Sequence, residues 1–448
     1  MALSIDSPPA SLGTGATVDA FERAVYRKVA LRILPLLVFG YILNYLDRIN
    51  IGIAQIQFKS DLGLSDAAYG FGAGLLFVGY VVFEIPSNLM LDRVGVRKTF
   101  LRIMVAWGIL STMTMFVRTP MQFYLVRFMI GVAEAGFTPG IFLYLSYWFP
   151  ARRRARMTSI FYLSIPLAAT LGTPLSGWIM HAFQGQLGLH GWQWLFLLEG
   201  MPSAVFGVVL FFVLSDRPDS APWLASAERA FILADLERDE SHKTRRSKHA
   251  PFRAVLSDPR VFCAGFTFAC SFSLGNTLAF WAPMVIRNSG VTQVVNVGVL
   301  AGIPAFIGTI VMLLVGRHSD RTLERRWHAA IALVCAAAAL AMLPLFHSNT
   351  VVAIVLLAVA SAGHYSCLSV FWSIPPTYLT RETAAGGIAV INVIGSLGGA
   401  LSTAALGWMS HGAAGFGSGL VVLGAIIGCG AVVLLVAFPA RTIRSAPA

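Results

Sequence analysis

The sequence predicts an all-α polytopic membrane protein, with twelve transmembrane helices in two pseudo-symmetric six-helix bundles and both termini cytoplasmic. Three observations carry this. Of the 448 residues, 56% are hydrophobic and only 12% charged, with a mean hydropathy of +0.72, whereas soluble domains carry about 25% charged residues. Apolar runs long enough to cross a hydrocarbon layer of about 30 Å recur twelve times. Related charged strings follow the second and eighth runs: Leu91-Asp92-Arg93-Val94-Gly95-Val96-Arg97-Lys98 and Gly316-Arg317-His318-Ser319-Asp320-Arg321, with Asp92 and Asp320 228 positions apart.

In chain order, residues 1–28 are polar and rich in Pro, Ser and Gly, and read as a disordered cytoplasmic tail. The first apolar run is too long for a cleavable leader, and no small-residue cleavage site follows it. Residues 29–215 form the first bundle, with runs near 30–55, 68–91, 99–117, 121–147, 156–182 and 193–215. Residues 216–258 are a cytoplasmic linker, in which Leu224, Ala227, Phe231 and Ala234 recur at helical spacing between charges. This pattern suits an amphipathic helix lying along the membrane face, or a merely solvated connector. Residues 259–439 form the second bundle, with runs near 259–286, 294–316, 327–347, 350–378, 384–411 and 416–439, and residues 440–448 form a second tail.

Orientation follows from lysine and arginine. All 33 fall on the segments shared with the N-terminus, except Lys59, Arg118 and Arg287 on the opposite loops and Arg48 and Arg127 inside spans. The net charge of +12 is therefore spread over short loops, a membrane pattern and not a nucleic-acid footprint. The five cysteines lie in apolar runs without metal-ligand spacing and read as small packing residues. The four small-residue pairs Gly70/Gly74, Gly136/Gly140, Gly395/Gly399 and Gly424/Gly428 permit close helix approach. No cofactor or metal is expected.

The chemistry concentrates on charges at membrane depth. Asp47 and Arg48 lie inside the first run, where insertion costs about 2.5–3.5 kcal/mol for each, so they must face protein or a wet cavity. A structural ion pair and a substrate or ion pathway are the two readings. In the fourth run Arg127 and Glu134 are seven residues apart, nearly two turns, and so share one helix face. Glu84 and Glu199 read as packing or capping residues.

The strings Tyr45-Leu46-Asp47-Arg48-Ile49-Asn50-Ile51-Gly52, Phe83-Glu84-Ile85-Pro86-Ser87-Asn88, Arg127-Phe128-Met129-Ile130-Gly131-Val132-Ala133-Glu134-Ala135-Gly136 and Trp192-Gln193-Trp194-Leu195-Phe196-Leu197-Leu198-Glu199-Gly200, with the loop motif at Asp92, resemble the major facilitator superfamily. More narrowly they resemble its anion:cation symporter branch, which contains permeases for tartrate, galactonate, hexuronates, phthalate and hydroxyphenylacetate, and most of all its tartrate-transporter-like members. Asn88 departs from the superfamily's usual glycine, as does Leu323 in the second copy of the motif.

The resemblance implies that spans 1, 4, 7 and 10 line a central cavity. Arg48 and Arg127 would then converge on a substrate carboxylate, for which the guanidinium fork is suited, and Asp47 and Glu134 would carry protons. The alternative is a fixed Arg/Glu brace between spans 1 and 4. Applying the repeat offset to Asp47 and Arg48 lands on Asn276 and Thr277, so the second half lacks these charges. It is expected to read the rest of the substrate through Asn276, His364, Tyr365 and Asn392, opposite Tyr45 and Tyr80. For His364 a helix–helix hydrogen bond is the competing role. The resemblance also implies that Asp92, Arg93, Arg97, Asp320 and Arg321 belong to cytoplasmic gates.

These readings point to a monomeric secondary transporter of the plasma membrane, in bacteria the inner membrane, with a small organic anion and protons as partners beside the lipid bilayer. Mono- or dicarboxylates such as tartrate or a sugar acid fit. Moving a negative charge inward against the membrane potential costs about 2.3 kcal/mol per 100 mV, which a co-transported proton offsets. A proton-coupled exporter of amphipathic compounds and a sodium-coupled anion importer are the alternatives. An enzyme is disfavoured: the sequence has no Gly-Lys pair for a P-loop, no H-E-x-x-H and no G-x-S-x-G.

Overall fold

The computed structural model describes residues 15–244, 252–379, 383–410 and 415–439. Among these, regular structure is helical throughout, and twelve helical stretches are long and apolar enough to cross a membrane. The first half holds α1 (Gly15–Asp61), α2 (Asp66–Val94), α3 (Val96–Met113), α4 (Pro120–Glu134), α5 (Phe137–Trp148), α6 (Ala151–Tyr162), α7 (Ser164–Ala182) and α8 (Gly191–Val213). Two further helices follow, α9 (Ser226–Thr244) and α10 (Phe252–Leu256). The second half holds α11 (Pro259–Asn288), α12 (Val294–Thr322), α13 (Arg326–Met342), α14 (Thr350–Phe371), α15 (Ala384–Met409) and α16 (Gly415–Ala437).

Local chemistry marks the helix starts. Ser65, Thr119 and Asn349 accept from the backbone N–H groups of Ala68, Gln122 and Val352, satisfying donors that the helix itself leaves free, and Pro120 sits where a missing N–H costs nothing. The fourth span breaks between α4 and α5 at Gly136, whose φ of 89° suits glycine and whose Cα abuts the Ser87 hydroxyl, leaving no room for a Cβ. The charged string after the eighth run continues α12 as helix to Thr322.

The internal repeat reappears in the helix pairing. In the first half α2 packs on α4, α3 on α8 and α1 on α7; in the second, α12 packs on α14, α13 on α16 and α11 on α15. The halves meet symmetrically, α2 against α15 and α7 against α12, with α1 against α11 between them. Large apolar side chains such as Leu125, Phe212, Leu401 and Val436 stand exposed around the outside, as expected where lipid is the solvent. Cys335 and Cys429 are also exposed there, contrary to the packing role expected of them, while Cys270 and Cys367 are buried.

Two sequence expectations change at the linker side. The helix of the first span begins at Gly15, so residues 15–28 are not a disordered tail, and Val25 and Tyr26 are buried. They pack against α9 and the start of α6. The Tyr26 hydroxyl donates to Asp235 (2.6 Å), Lys28 pairs with Glu228 (2.6 Å), and Arg152 bridges Asp235 (2.8 Å) and Glu22 (2.7 Å). The Lys28 ammonium holds the Glu228 carboxyl below its ordinary pKa. The buried face of α9 therefore runs through Ile232 and Asp235, whereas Ala227 and Ala234 are exposed. Leu224 is buried and Phe231 packs on Phe21 and Tyr26 as the apolar spacing requires, and the spacing missed Asp235 because an aspartate sits on the same face. Residues 1–14 and the tail at 440–448 lie outside the described residues.

Candidate functional site

Between the halves lies a cavity of about 600 Å³, within the range that holds small ligands. Each lining helix contributes one face at helical spacing: Tyr41, Tyr45 and Arg48 from α1; Phe77, Tyr80, Glu84 and Asn88 from α2; His364, Leu368 and Trp372 on or just after α14; Asn392 and Ser396 from α15. From α11 come Phe268, Ser271, Phe272, Gly275 and Asn276. The mouth lies on the linker side, where Arg154 and Asn88 line it.

The opposite side is shut by contacts between the halves. Gln55 donates to the Phe280 carbonyl, the Tyr69 hydroxyl lies 3.2 Å from the Ile51 carbonyl and 3.4 Å from that of Phe280, and Arg287 donates to the Ile56 carbonyl at 2.6 Å. Here α1 touches α11 so closely at Gly52 that a Cβ would collide with the Ala279 carbonyl.

Arg48 organises the first-half wall. Its guanidinium pairs with Glu134 of α4, which is buried behind it, and lies near the rings of Phe77 (5.6 Å) and Tyr80 (5.9 Å). Its Nε has no hydrogen-bond partner. The charge pair thus joins spans 1 and 4 through Arg48, not through Arg127.

Several predicted residues fall elsewhere. Arg127 is 1% exposed and sealed into the bundle toward the shut side, with Nε and one terminal nitrogen unpartnered, so it does not reach the cavity beside Arg48. It shares the helix face of Glu134 as the spacing required, but the cavity ends before its level. Asp47 points away into the first bundle, where Trp107 (2.9 Å), Ser111 (2.7 Å) and Ser203 (2.7 Å) donate to it. Asp47 lies about 100° round the helix from Arg48, and here that turn carries it off the cavity wall and among α3 and α8. The same geometry separates cavity-lining His364 from Tyr365, which packs against α12 at Gly308.

Of the other second-half candidates, Asn276 lines the cavity with its Nδ2 unpartnered. His364 both lines the cavity and bridges helices, since its Nδ1 lies 2.9 Å from the Ser271 carbonyl, an acceptor that requires the proton on Nδ1. Asn392 donates to Glu84 across the two halves (3.3 Å). Glu84 is therefore a cavity residue and not the packing residue expected. The signal was present: Phe77, Tyr80, Glu84 and Asn88 recur at intervals of three and four. Glu199 is buried and accepts from Ser176 (2.7 Å), as a packing role requires.

The gate candidates bond within their own halves. The Arg97 side chain donates to the Phe211 carbonyl (2.9 Å) and its backbone N–H to Asp216 (2.9 Å), and Asp320 pairs with Arg325 (2.6 Å). Arg93 and Arg321 are exposed, and the Asp92 side chain lies outside the described residues. None of these described contacts crosses between the halves, on the side where the cavity is open.

Comparison with known proteins agrees with this architecture. NicT of Pseudomonas putida, named for metabolite transport, is 41% identical over 95% of this chain and 97% of its own length. An Agrobacterium vitis protein named for tartrate transport is 41% identical over 93% and 95%. The partially occluded, inward-open structure of the Escherichia coli xylose transporter XylE superposes with a TM-score of 0.72 over 90% of this chain and 96% of that one, at 14% identity, a likeness of fold. The Major Facilitator Superfamily model matches residues 37–403, and this multi-pass membrane protein belongs to that family of transporters.

Proposed function

We propose that the protein imports a small organic anion, a mono- or dicarboxylate, across the bacterial inner membrane by proton symport and alternating access. The observation that carries this is the Arg48–Glu134 pair at the wall of a cavity open on one side only. A carboxylate entering the cavity competes with Glu134 for the guanidinium, which offers a planar two-point contact. When the anion takes Arg48, Glu134 loses its cation, and an unpaired carboxylate in a buried site is stabilised by accepting a proton. Anion and proton thus load together. The loaded carrier reorients with its buried charges balanced.

In this reading both termini and the linker are cytoplasmic, so the open mouth faces the cytoplasm and the monomer rests inward-facing. Asn276, His364, Asn392, Tyr45 and Tyr80 orient the substrate, and Glu134 is the coupling carboxyl ahead of Asp47, whose three donors already satisfy it. Arg127 meets substrate only when the shut side opens. Arg93, Arg97, Asp92, Asp320 and Arg321 close the cytoplasmic side in that alternate state.

The test is uptake of labelled carboxylates into proteoliposomes with a proton gradient, a sodium gradient or neither. Accumulation driven by the proton gradient alone is expected. Accumulation that follows sodium at equal pH on both sides would overturn the proton assignment, and movement of uncharged amphipaths in place of carboxylates would favour an exporter.

A further inference from the structure

The cavity wall beside Arg48 is a run of aromatic rings that continues across the interface between the halves. Phe77, whose ring lies 5.6 Å from the Arg48 guanidinium, meets Phe272 edge to face at 5.6 Å and 83°. Phe272 meets Phe268 at 5.8 Å, and Phe268 meets Trp372 at 4.8 Å. All four rings line the cavity. Such a surface offers quadrupolar contacts to a further ring and nothing to a hydroxyl.

Of the polar groups expected to read a hydroxylated acid, His364 and Asn392 are engaged within the protein, while Tyr45 and Tyr80 line the first-half wall with Arg48. The His364 Nδ1–H is directed at the Ser271 carbonyl, and the Asn392 amide donates to Glu84. Asn276 Nδ2 is the unpartnered amide donor among these predicted contacts. Hydroxyls of a tartrate or sugar acid set against the four-ring wall would face rings, and buried unpaired polar groups are costly.

We propose that the substrate is an aromatic monocarboxylate, with its carboxylate on Arg48 and its ring against the Phe77–Phe272–Phe268–Trp372 wall. This rests on the anion reading above and narrows it. A carboxylate attached directly to a ring suits the juxtaposition, because the arginine and the first ring of the wall are adjacent.

The experiment measures uptake of labelled benzoate into proteoliposomes under a proton gradient, and its inhibition by cyclohexanecarboxylate, L-tartrate, D-gluconate and benzamide. Benzoate is expected to accumulate. Cyclohexanecarboxylate, equal in charge and similar in bulk but without a π face, should inhibit about tenfold more weakly than unlabelled benzoate, and the hydroxylated acids and the neutral amide should not inhibit. In Phe272→Leu and Trp372→Leu, which keep the wall apolar, the gap between benzoate and cyclohexanecarboxylate should narrow. Equal inhibition by the two ring acids in the wild-type protein, or an unchanged gap in both variants, would overturn the aromatic assignment. Uptake of labelled tartrate or gluconate in preference to benzoate would overturn it while leaving the anion reading standing. Inhibition by benzamide equal to that by benzoate, or no uptake of any carboxylate, would overturn both.

Discussion

Arg48 of α1 and Glu134 of α4 form an ion pair at the cavity wall, with Glu134 buried behind the guanidinium and the Arg48 Nε left without a partner. A buried pair at a cavity wall is poised for exchange: a second carboxylate that takes the guanidinium releases Glu134, whose charge is then balanced by a proton.

Glu134→Gln imitates the protonated side chain permanently. It should bind substrate and exchange it across the membrane, because exchange needs only loaded reorientation, yet fail to accumulate substrate under an imposed proton gradient. Counterflow and gradient-driven uptake on one proteoliposome preparation check this, with Asp47→Asn as the control because coupled carboxyls can share a proton. Wild-type accumulation by Glu134→Gln would move the coupling role to Asp47. Joint loss of both modes would make the pair a structural brace.

Arg48 and Arg127 should respond differently to lysine. Arg48→Lys replaces a planar fork with a point charge and is expected to lower apparent affinity about tenfold or more. Arg127→Lys, at a sealed position, should leave the inward-side apparent affinity within about twofold and instead slow turnover or lower stability. Binding measured from the cytoplasmic side, beside transport at matched protein levels, separates the two. Equal affinity losses would place Arg127 at the inward-facing site after all.

Asp235 ties α9 to the start of α1 and to Arg152. Asp235→Ala removes acceptors for a tyrosine hydroxyl and a guanidinium, a loss of about 1.5–3 kcal/mol for hydrogen bonds to a charged group. The expected result is a lower melting temperature in detergent and faster proteolysis within 226–244. An unchanged melting profile would mean the docked helix contributes nothing to stability.

Topology is checked with a membrane-impermeant maleimide on single cysteines in a background without the native ones. Ser220→Cys should label in inverted membrane vesicles and not in right-side-out ones, and Ser60→Cys the reverse. The opposite pattern would turn the open mouth to the outside and reverse the direction of the proposed cycle.

The twelve spans, the two-fold repeat and the segregation of lysine and arginine were legible in the sequence, because hydropathy is a property of each segment alone. So was the need of Arg48 and Glu134 for partners, since charge at membrane depth requires one wherever it sits. Which partner it has was not legible. Arg127 and Glu134 share a face by spacing, but the depth at which the cavity ends is set by the contacts of α1 with α11 and α2 with α15, and those placed Arg127 beyond it. Likewise Asp47 adjoins Arg48 in sequence but faces the first bundle, because Trp107, Ser111 and Ser203 of α3 and α8 surround it one step of about 100° round the helix. Glu84 became a cavity residue, and Asp235 a buried anchor, only through partners some 308 and 209 positions away in the chain. Local sequence determines what each helix must bury; the packing of one bundle against the other decides which charges meet and which face the substrate.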